Sequence, residues 1–259
     1  MFKMNQRIIE RKLQSPSSPW FKNWFDSSFY HQLYGNHDDR EAAGFIHELM
    51  LELDAPAGAR ILDLGCGNGR HSRVLSEKGF DVTGIDLAGN SIATAKRFEK
   101  EHLNFYSHDM RDPFGRNLYN YVFSFFTSFG YFKEENDNHR VVRNIYHALA
   151  TGGVLMMDYL NVEYADAHLV KQEEKNIDGV HYHLERWTDE HNFYKKISID
   201  IQNGKPLEFT EQVARFGLGD FHELFIQHGL QIEKVFGDYD LGEYDRVKSP
   251  RLIMIAKKV

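Results

Sequence analysis

The sequence predicts an α/β chain organised on an open, mostly parallel sheet, and three observations predict it. Short apolar, strand-like runs alternate with amphipathic helical stretches from Ile61 onward, the order that builds βαβ units. The first of these runs passes directly into a glycine-rich turn, Gly65-Cys66-Gly67-Asn68-Gly69, which opens a helix. After the fifth run the pattern changes, and residues 162–216 show strand-like alternation without a helical period, as an antiparallel insertion would.

The elements follow in order. Residues 1–19 are polar and basic and end in Ser-Pro-Ser-Ser-Pro, so a frayed start or an irregular helix is expected. Trp20, Phe21, Trp24, Phe25, Phe29, Tyr30 and Tyr34 then crowd into one short segment. Such a segment either packs an aromatic helix face on the core or forms a lid. The helix expected over 39–53 places Ala42, Phe45, Ile46, Leu49, Met50 and Leu53 on one face and should lean on the sheet. Ile61, Leu62 and Leu64 read as a buried strand. Arg70 to Lys78 reads as a helix stopped by Gly79, Phe80 to Asp86 as the second strand, and Ser91 to His102 as a helix with Ile92, Ala95 and Phe98 inward. A third strand over 104–107, a fourth over 119–126, a helix over 134–150 and a fifth strand over 154–159 continue the alternation. The insertion holds strand-like runs at 180–187, 192–201 and 207–216, parted by Thr-Asp-Glu-His and Asn-Gly-Lys-Pro turns. A short helix over 220–228 and strands over 230–236 and 251–257 close the chain.

Bulk properties narrow the function. The chain has 259 residues, 42% hydrophobic and 27% charged, ordinary values for a globular protein, and no apolar run approaches a membrane span. A formal charge of −7 argues against broad attraction to nucleic acid or to an anionic membrane and favours a small or neutral substrate. Cys66 is the single cysteine, so no internal disulfide can form. With no secretory apolar segment at the start, the expected location is cytoplasmic.

The chemistry concentrates on the glycine turn and on three acids. A dinucleotide turn is spaced Gly-x-Gly-x-x-Gly around a pyrophosphate, whereas here the spacing is Gly-x-Gly-x-Gly. Asp63 precedes the turn, where it would repel a pyrophosphate and welcome an ammonium group. Asp86 ends the second strand about 20 residues on, the place of an acid that accepts from both ribose hydroxyls. Asp109 follows the third strand at the same interval. Ligands of open parallel sheets bind beyond the carboxyl ends of the strands, so the run after the fourth strand, Phe126 to Phe132, should border both cofactor and substrate.

Ile-Leu-Asp-Leu-Gly-Cys-Gly-Asn-Gly, with Asp86 and the His-Asp-Met-Arg-Asp run around Asp109, resembles the motif set of the class I S-adenosylmethionine-dependent methyltransferases. The resemblance covers most of residues 57–161 by motif and 217–259 by pattern. It implies a Rossmann-like seven-stranded sheet with helices on both faces, whose seventh strand runs antiparallel between the fifth and sixth. It implies S-adenosylmethionine as cofactor, held by Asp63, Gly65, Cys66 and Gly67, by Asp86 and Leu87, by Asp109 for the adenine amino group with Met110 on the ring, and by Phe126. An N-terminal helical lid over residues 1–56 would bring Tyr34 to the cofactor, and the insertion at 162–216 would line the substrate side. The core would then comprise 57–161 and 217–259. The Thr-Ser-Phe-Gly-Tyr run resembles small-molecule methyltransferases, amino-sugar N-methyltransferases among them, and is unlike the Asn/Asp-Pro-Pro-aromatic motif that grips a flipped base.

The implied activity is methylation of a small-molecule acceptor at nitrogen or oxygen, with neither nucleic acid nor membrane as partner. Two alternatives stay open: a non-catalytic S-adenosylmethionine-binding regulatory module and a nicotinamide-dependent oxidoreductase. Tyr30, Tyr131, Tyr159 and His183 are candidate bases by position, each with a packed or surface side chain as the competing reading. His181 and His183 alternate onto one strand face, but two histidines without a third ligand make a poor metal case, and no metal is expected. The oligomeric state is open, with a dimer contact through the insertion as one arrangement.

Overall fold

The computed structural model of the protein describes residues 20–34, 39–201 and 206–259. The expectations for residues 1–19 and for the Asn-Gly-Lys-Pro turn fall outside the described residues, the turn except for Pro206. The chain divides into two compact units, one of 20–34 with 170–212 and the other of 39–169 with 213–259.

The larger unit contains α3 (Asp39–Glu52), β1 (Arg60–Leu64), α4 (Arg70–Glu77), β2 (Asp81–Asp86), α5 (Gly89–Ala95), β3 (Leu103–Ser107), β4 (Tyr119–Ser124), α6 (Glu135–Ala148), β5 (Leu149–Leu160), α7 (Val162–Ala167), α8 (Leu218–Ile226), β10 (Leu230–Phe236) and β11 (Arg251–Lys258). Its seven strands lie in the order β10-β11-β5-β4-β1-β2-β3. β11 pairs antiparallel with both β5 and β10, while β1, β2, β3, β4 and β5 pair parallel. This is the Rossmann-like sheet expected, with the last strand inserted antiparallel. Strand order reverses at β1, between β4 and β2, so a crevice opens beyond the carboxyl ends of these strands.

Alternation along the strands shows why both faces need helices. Ile61, Tyr121, Phe123, Met156, Ile253 and Ile255 share one core with Phe45, Ile46 and Leu49 of α3, Leu75 of α4 and Ile92 and Ala95 of α5. Their neighbours Leu62, Val122, Leu155, Met157, Leu252 and Met254 are just as buried but point the other way. There, α6 contributes Val141, Val142 and Ile145, and α8 contributes Phe221 and Phe225. The charges of α6 also suit its polarity, with Glu135 and Asp137 in the first turn and His147 in the last.

One core assignment is corrected. The helix expected over 91–102 ends at Ala95 and continues only as a 3₁₀ turn over Lys96–Phe98. The tighter winding rotates Phe98 off the inward face, leaving it 43% exposed beneath the Arg73 guanidinium.

The smaller unit holds α1 (Trp20–Phe25), α2 (Ser28–Tyr34) and an antiparallel sheet ordered β6 (Gln172–Ile177), β7 (Val180–Thr188), β8 (Asn192–Ile199) and β9 (Leu207–Ala214), the last strand running on into the larger unit. Four strands stand where three were expected. Gln-Glu-Glu-Lys-Asn-Ile of β6 has almost no apolar alternation, because it is an edge strand held by its ladder to β7. The stretch after β5 also starts with a short helix, α7, that the sequence reading omitted. Trp24, Leu33, Tyr182, Leu184, Ile197, Ile199 and Leu207 form this unit's own core, with Phe29, Tyr30 and Tyr34 packed against it. The aromatic segment therefore does pack on a core, namely that of the inserted sheet.

Candidate active site

The turn after β1 is shaped by positive φ at Gly65, Gly67 and Gly69 (79°, 55° and 81°). A Cβ on Gly65 would lie 2.6 Å from Ser128 Cβ, so the first glycine lets the β1 and β4 loops touch. At Gly67 nothing lies within 4 Å of a Cβ position, so the backbone there is not covered by a packed side chain.

Asp63 sits beneath this turn. It is 1% exposed and its Oδ2 accepts from the Ser72 hydroxyl at 2.5 Å, so the carboxyl faces α4 instead of an open ammonium site. Burial, reinforced by the nearby Asp86 charge, pushes this carboxyl up to about 7 against the pull of the Ser72 hydrogen bond. Cys66 is buried in the turn, its thiol pushed up by burial, which makes it a packing residue and not a nucleophile.

Asp86 ties two loops together. Its Oδ2 accepts from Gly67 N–H at 2.9 Å and its Oδ1 from Ala88 N–H at 2.7 Å, and half-buried Leu87 follows it in the chain. Each carboxylate oxygen has a second lone pair, so both can accept a further hydroxyl while keeping the turn in place. Asp109 is held by Arg111, with Nε at 3.0 Å from Oδ1 and Nη2 at 2.7 Å from Oδ2, and Arg111 reaches on to Asp137 at 2.9 Å. Burial alone would raise the Asp109 carboxyl, but this guanidinium overcomes it and keeps the group below the usual carboxylate range. Met110 is fixed through its carbonyl, which accepts from Asn144 Nδ2 at 3.2 Å, and its methyl lies 3.8 Å from the Gly65 Cβ position.

The loop after β4 contains the feature the sequence reading missed. Phe126 and Thr127 are consecutive non-glycine residues in the left-handed region, at φ 54° and 56°. Asp158, 1% exposed at the end of β5, holds them there. Its Oδ2 accepts from Phe126 N–H at 2.7 Å, and its backbone carbonyl accepts from Thr127 N–H at 3.0 Å. Arg251 on β11 neutralises it, with Nη2 at 2.6 Å from Oδ1, and donates also to Thr127 Oγ1 at 2.9 Å. Glu41, Phe45, Arg70, His71, Phe126, Asp158 and Tyr239 line a cavity at this edge, where the His71 ring stacks on Phe125 at 4.2 Å between centroids. A tandem of left-handed residues has no composition signal, and Asp158 and Arg251 are distant in sequence, so no motif reports them.

The four candidate bases are scattered. Tyr131 donates its hydroxyl to the Thr127 carbonyl. Tyr159 is fully buried, donates to the Ala214 carbonyl at 2.7 Å, and has its phenol pushed well above the ordinary value by burial, all of which marks a packed side chain. Tyr30 and Tyr34 belong to the smaller unit, their rings 4.9 Å apart, with the Tyr34 hydroxyl donating to Glu211 Oε1 at 2.8 Å. His183 lies on the outer face of the inserted sheet, against Asp200 and Glu174.

A glycine turn, an acid on the second strand and no phosphate-type spacing define a nucleoside-cofactor site. Comparison with known proteins gives the class. The methyltransferase domain family matches residues 61–153. YqeM of Bacillus subtilis, which bears a provisional methyltransferase name, is 28% identical over 221 residues, 80% of this chain and 87% of its own. An S-adenosylmethionine-dependent methyltransferase from Clostridium acetobutylicum superposes with a TM-score of 0.73 at 18% identity, covering 88% of this chain and 96% of that one. An S-adenosylmethionine-bound amino pentose methyltransferase from Micromonospora echinaspora superposes with a TM-score of 0.65 at 18% identity, over 90% and 98% of the two chains. Residues 61–153 thus carry a methyltransferase domain, and these matches together support a class I S-adenosylmethionine-dependent methyltransferase with S-adenosylmethionine as its cofactor. Among the described residues no helix is long and apolar enough to cross a membrane.

Proposed function

We propose that this methyltransferase acts on a small-molecule acceptor and that the methylated atom is an amine nitrogen. When bound, S-adenosylmethionine supplies a methyl group already activated on a sulfonium, so the protein chiefly has to bind and align. The residues of the larger unit suit that cofactor: Gly67 leaves its Cβ position open, Asp86 would take the ribose hydroxyls, Asp109 would accept from the adenine amino group, and Met110 would cover the ring. Leu87 and Phe126 would flank the nucleoside, and Asp63, Gly65 and Cys66 keep the turn in shape.

The observation that supports the nitrogen assignment is the commitment of Tyr131 and Tyr159, the two candidate phenols of the larger unit. Tyr131 and Tyr159 already give their protons to backbone carbonyls, and a phenol locked as a donor does not serve as the base a hydroxyl acceptor requires. An amine needs no such base once it arrives unprotonated. An amino pentose methyltransferase shares this fold, which is in keeping with a small-molecule acceptor.

The test supplies methyl-labelled S-adenosylmethionine with matched panels of small amines, including amino sugars, and hydroxyl compounds, and reads labelled product and S-adenosylhomocysteine. Turnover with amines is expected. Labelling of hydroxyl compounds alone would overturn the nitrogen assignment, and cofactor binding without turnover on any acceptor would favour the regulatory module.

A further inference from the structure

The sequence pattern of His181 and His183 lacks a third ligand, and the structure brings Asp200 beside them. β7 presents both imidazoles on the outer face of the inserted sheet, because the alternate residues Tyr182 and Leu184 are buried on the inner one. Asp200, just past β8, is brought beside them by the β7–β8 ladder and by its own N–H donating to the His181 carbonyl at 3.1 Å. Asp200 Oδ2 stands 3.4 Å from His181 Nδ1 and 3.3 Å from His183 Nε2. Donor atoms of the three residues all lie within 4.8 Å of one another. These separations are long for a charge-assisted hydrogen bond, which is about 2.7–2.9 Å. Both Asp200–imidazole separations match the edge of a tetrahedron of ligands with bonds of about 2.0–2.1 Å to a central ion, which is roughly 3.3 Å, and the two imidazole donors lie within 4.8 Å of each other.

The far side of each ring is also provided for. Glu174 on β6 pairs directly across from His183. Its Oε1 lies 3.3 Å from His183 Nδ1 and its Oε2 3.7 Å from His181 Nε2, the two nitrogens turned away from Asp200. A carboxylate behind a ligating imidazole fixes its tautomer and orientation and raises its basicity.

We propose that His181 Nδ1, His183 Nε2 and Asp200 Oδ2 bind a divalent zinc-type cation on the inserted sheet, with Glu174 orienting both rings. Two imidazoles and one carboxylate make a nitrogen-rich donor set suited to zinc, and three protein donors leave a fourth position for water or another ligand. The ion would tie β6, β7 and the end of β8 together, and it does not depend on methyl transfer.

The experiment uses the full chain, stripped with a chelator, dialysed against zinc chloride and measured by elemental analysis and by competition with a chromophoric chelator. The parent is expected to hold one equivalent that the double variant His183→Gln/Asp200→Asn lacks, and Glu174→Gln should weaken binding roughly 10- to 100-fold. The parent's melting temperature should rise with zinc concentration while the double variant's stays fixed. All three side chains are partly or fully exposed, and circular dichroism checks that the variants fold. Cobalt substitution gives a second readout: an intense visible spectrum of low-coordinate cobalt supports the site. A parent spectrum equal to the aquo ion, or zinc binding equal in parent and double variant, overturns it.

Discussion

The loops after β1 and β4 solve the same problem in different ways. Both must turn sharply at the carboxyl edge of the sheet and touch each other, as the contact between Gly65 and Ser128 shows. The first takes its left-handed positions from glycines, at a cost paid only in chain entropy. The second puts Phe126 and Thr127 in the same region of backbone space and keeps them there with a buried ion pair, Asp158–Arg251. A glycine turn is therefore a local device, whereas the β4 loop depends on β5 and β11 being in place. The second arrangement also brings a large side chain to the edge, since Phe126 is 40% exposed there.

The largest expected effect breaks the tertiary support. Arg251→Met leaves Asp158 buried without its cation and should cost about 3–5 kcal/mol in urea unfolding. Adding Asp158→Asn should recover much of that stability, because the uncompensated charge is removed. A loss below about 1 kcal/mol in the single variant would show that the β4 loop is held by something other than this pair.

Asp63 tests the glycine side through pH. Its folded value of about 7 lies above the ordinary carboxylate value of 3.8, so between these the native state binds the extra proton. Stability from this group is thus greatest below about pH 4, falls as pH rises toward 7, and is flat beyond. Asp63→Asn should abolish that decline and gain on the order of a few kcal/mol at pH 8 relative to the parent, read by unfolding at several pH values. A parent stability that rose between pH 4 and pH 7 while the Asn variant's did not would refute the assignment.

Asp86→Ala removes an acceptor that holds the turn and, in the proposed function, would take the ribose hydroxyls. S-adenosylmethionine affinity should fall by about 1.5–3 kcal/mol for each lost charge-assisted bond, measured by calorimetry on a folded variant. Unchanged affinity would move the ribose elsewhere. The smallest effect converts one loop's strategy into the other's: Phe126→Gly should be about 1 kcal/mol more stable than Phe126→Ala, since only glycine is at ease at that φ. Equal melting temperatures would mean that the left-handed geometry is relaxed in solution.

Local chemistry in the sequence determined the parallel core and half of the candidate site. Apolar strand runs, the spacing of Gly65, Gly67 and Gly69, and the recurrence of Asp63, Asp86 and Asp109 all act within a few residues of the positions that carry them, so they can be read without the fold. Tertiary structure alone decided the rest. It turned Asp63 inward to Ser72, paired Asp158 with Arg251 across β5 and β11, and took Phe98 out of the core. It assembled a separate core from the N-terminal aromatics and the inserted sheet, and joined Asp200 and Glu174 to the two histidines. In these cases the partners are far apart in the chain or, like the polar edge strand β6, carry no periodic signal of their own. A side chain's burial and charge state depend on which strands become neighbours, and that is fixed only when the sheet closes around them.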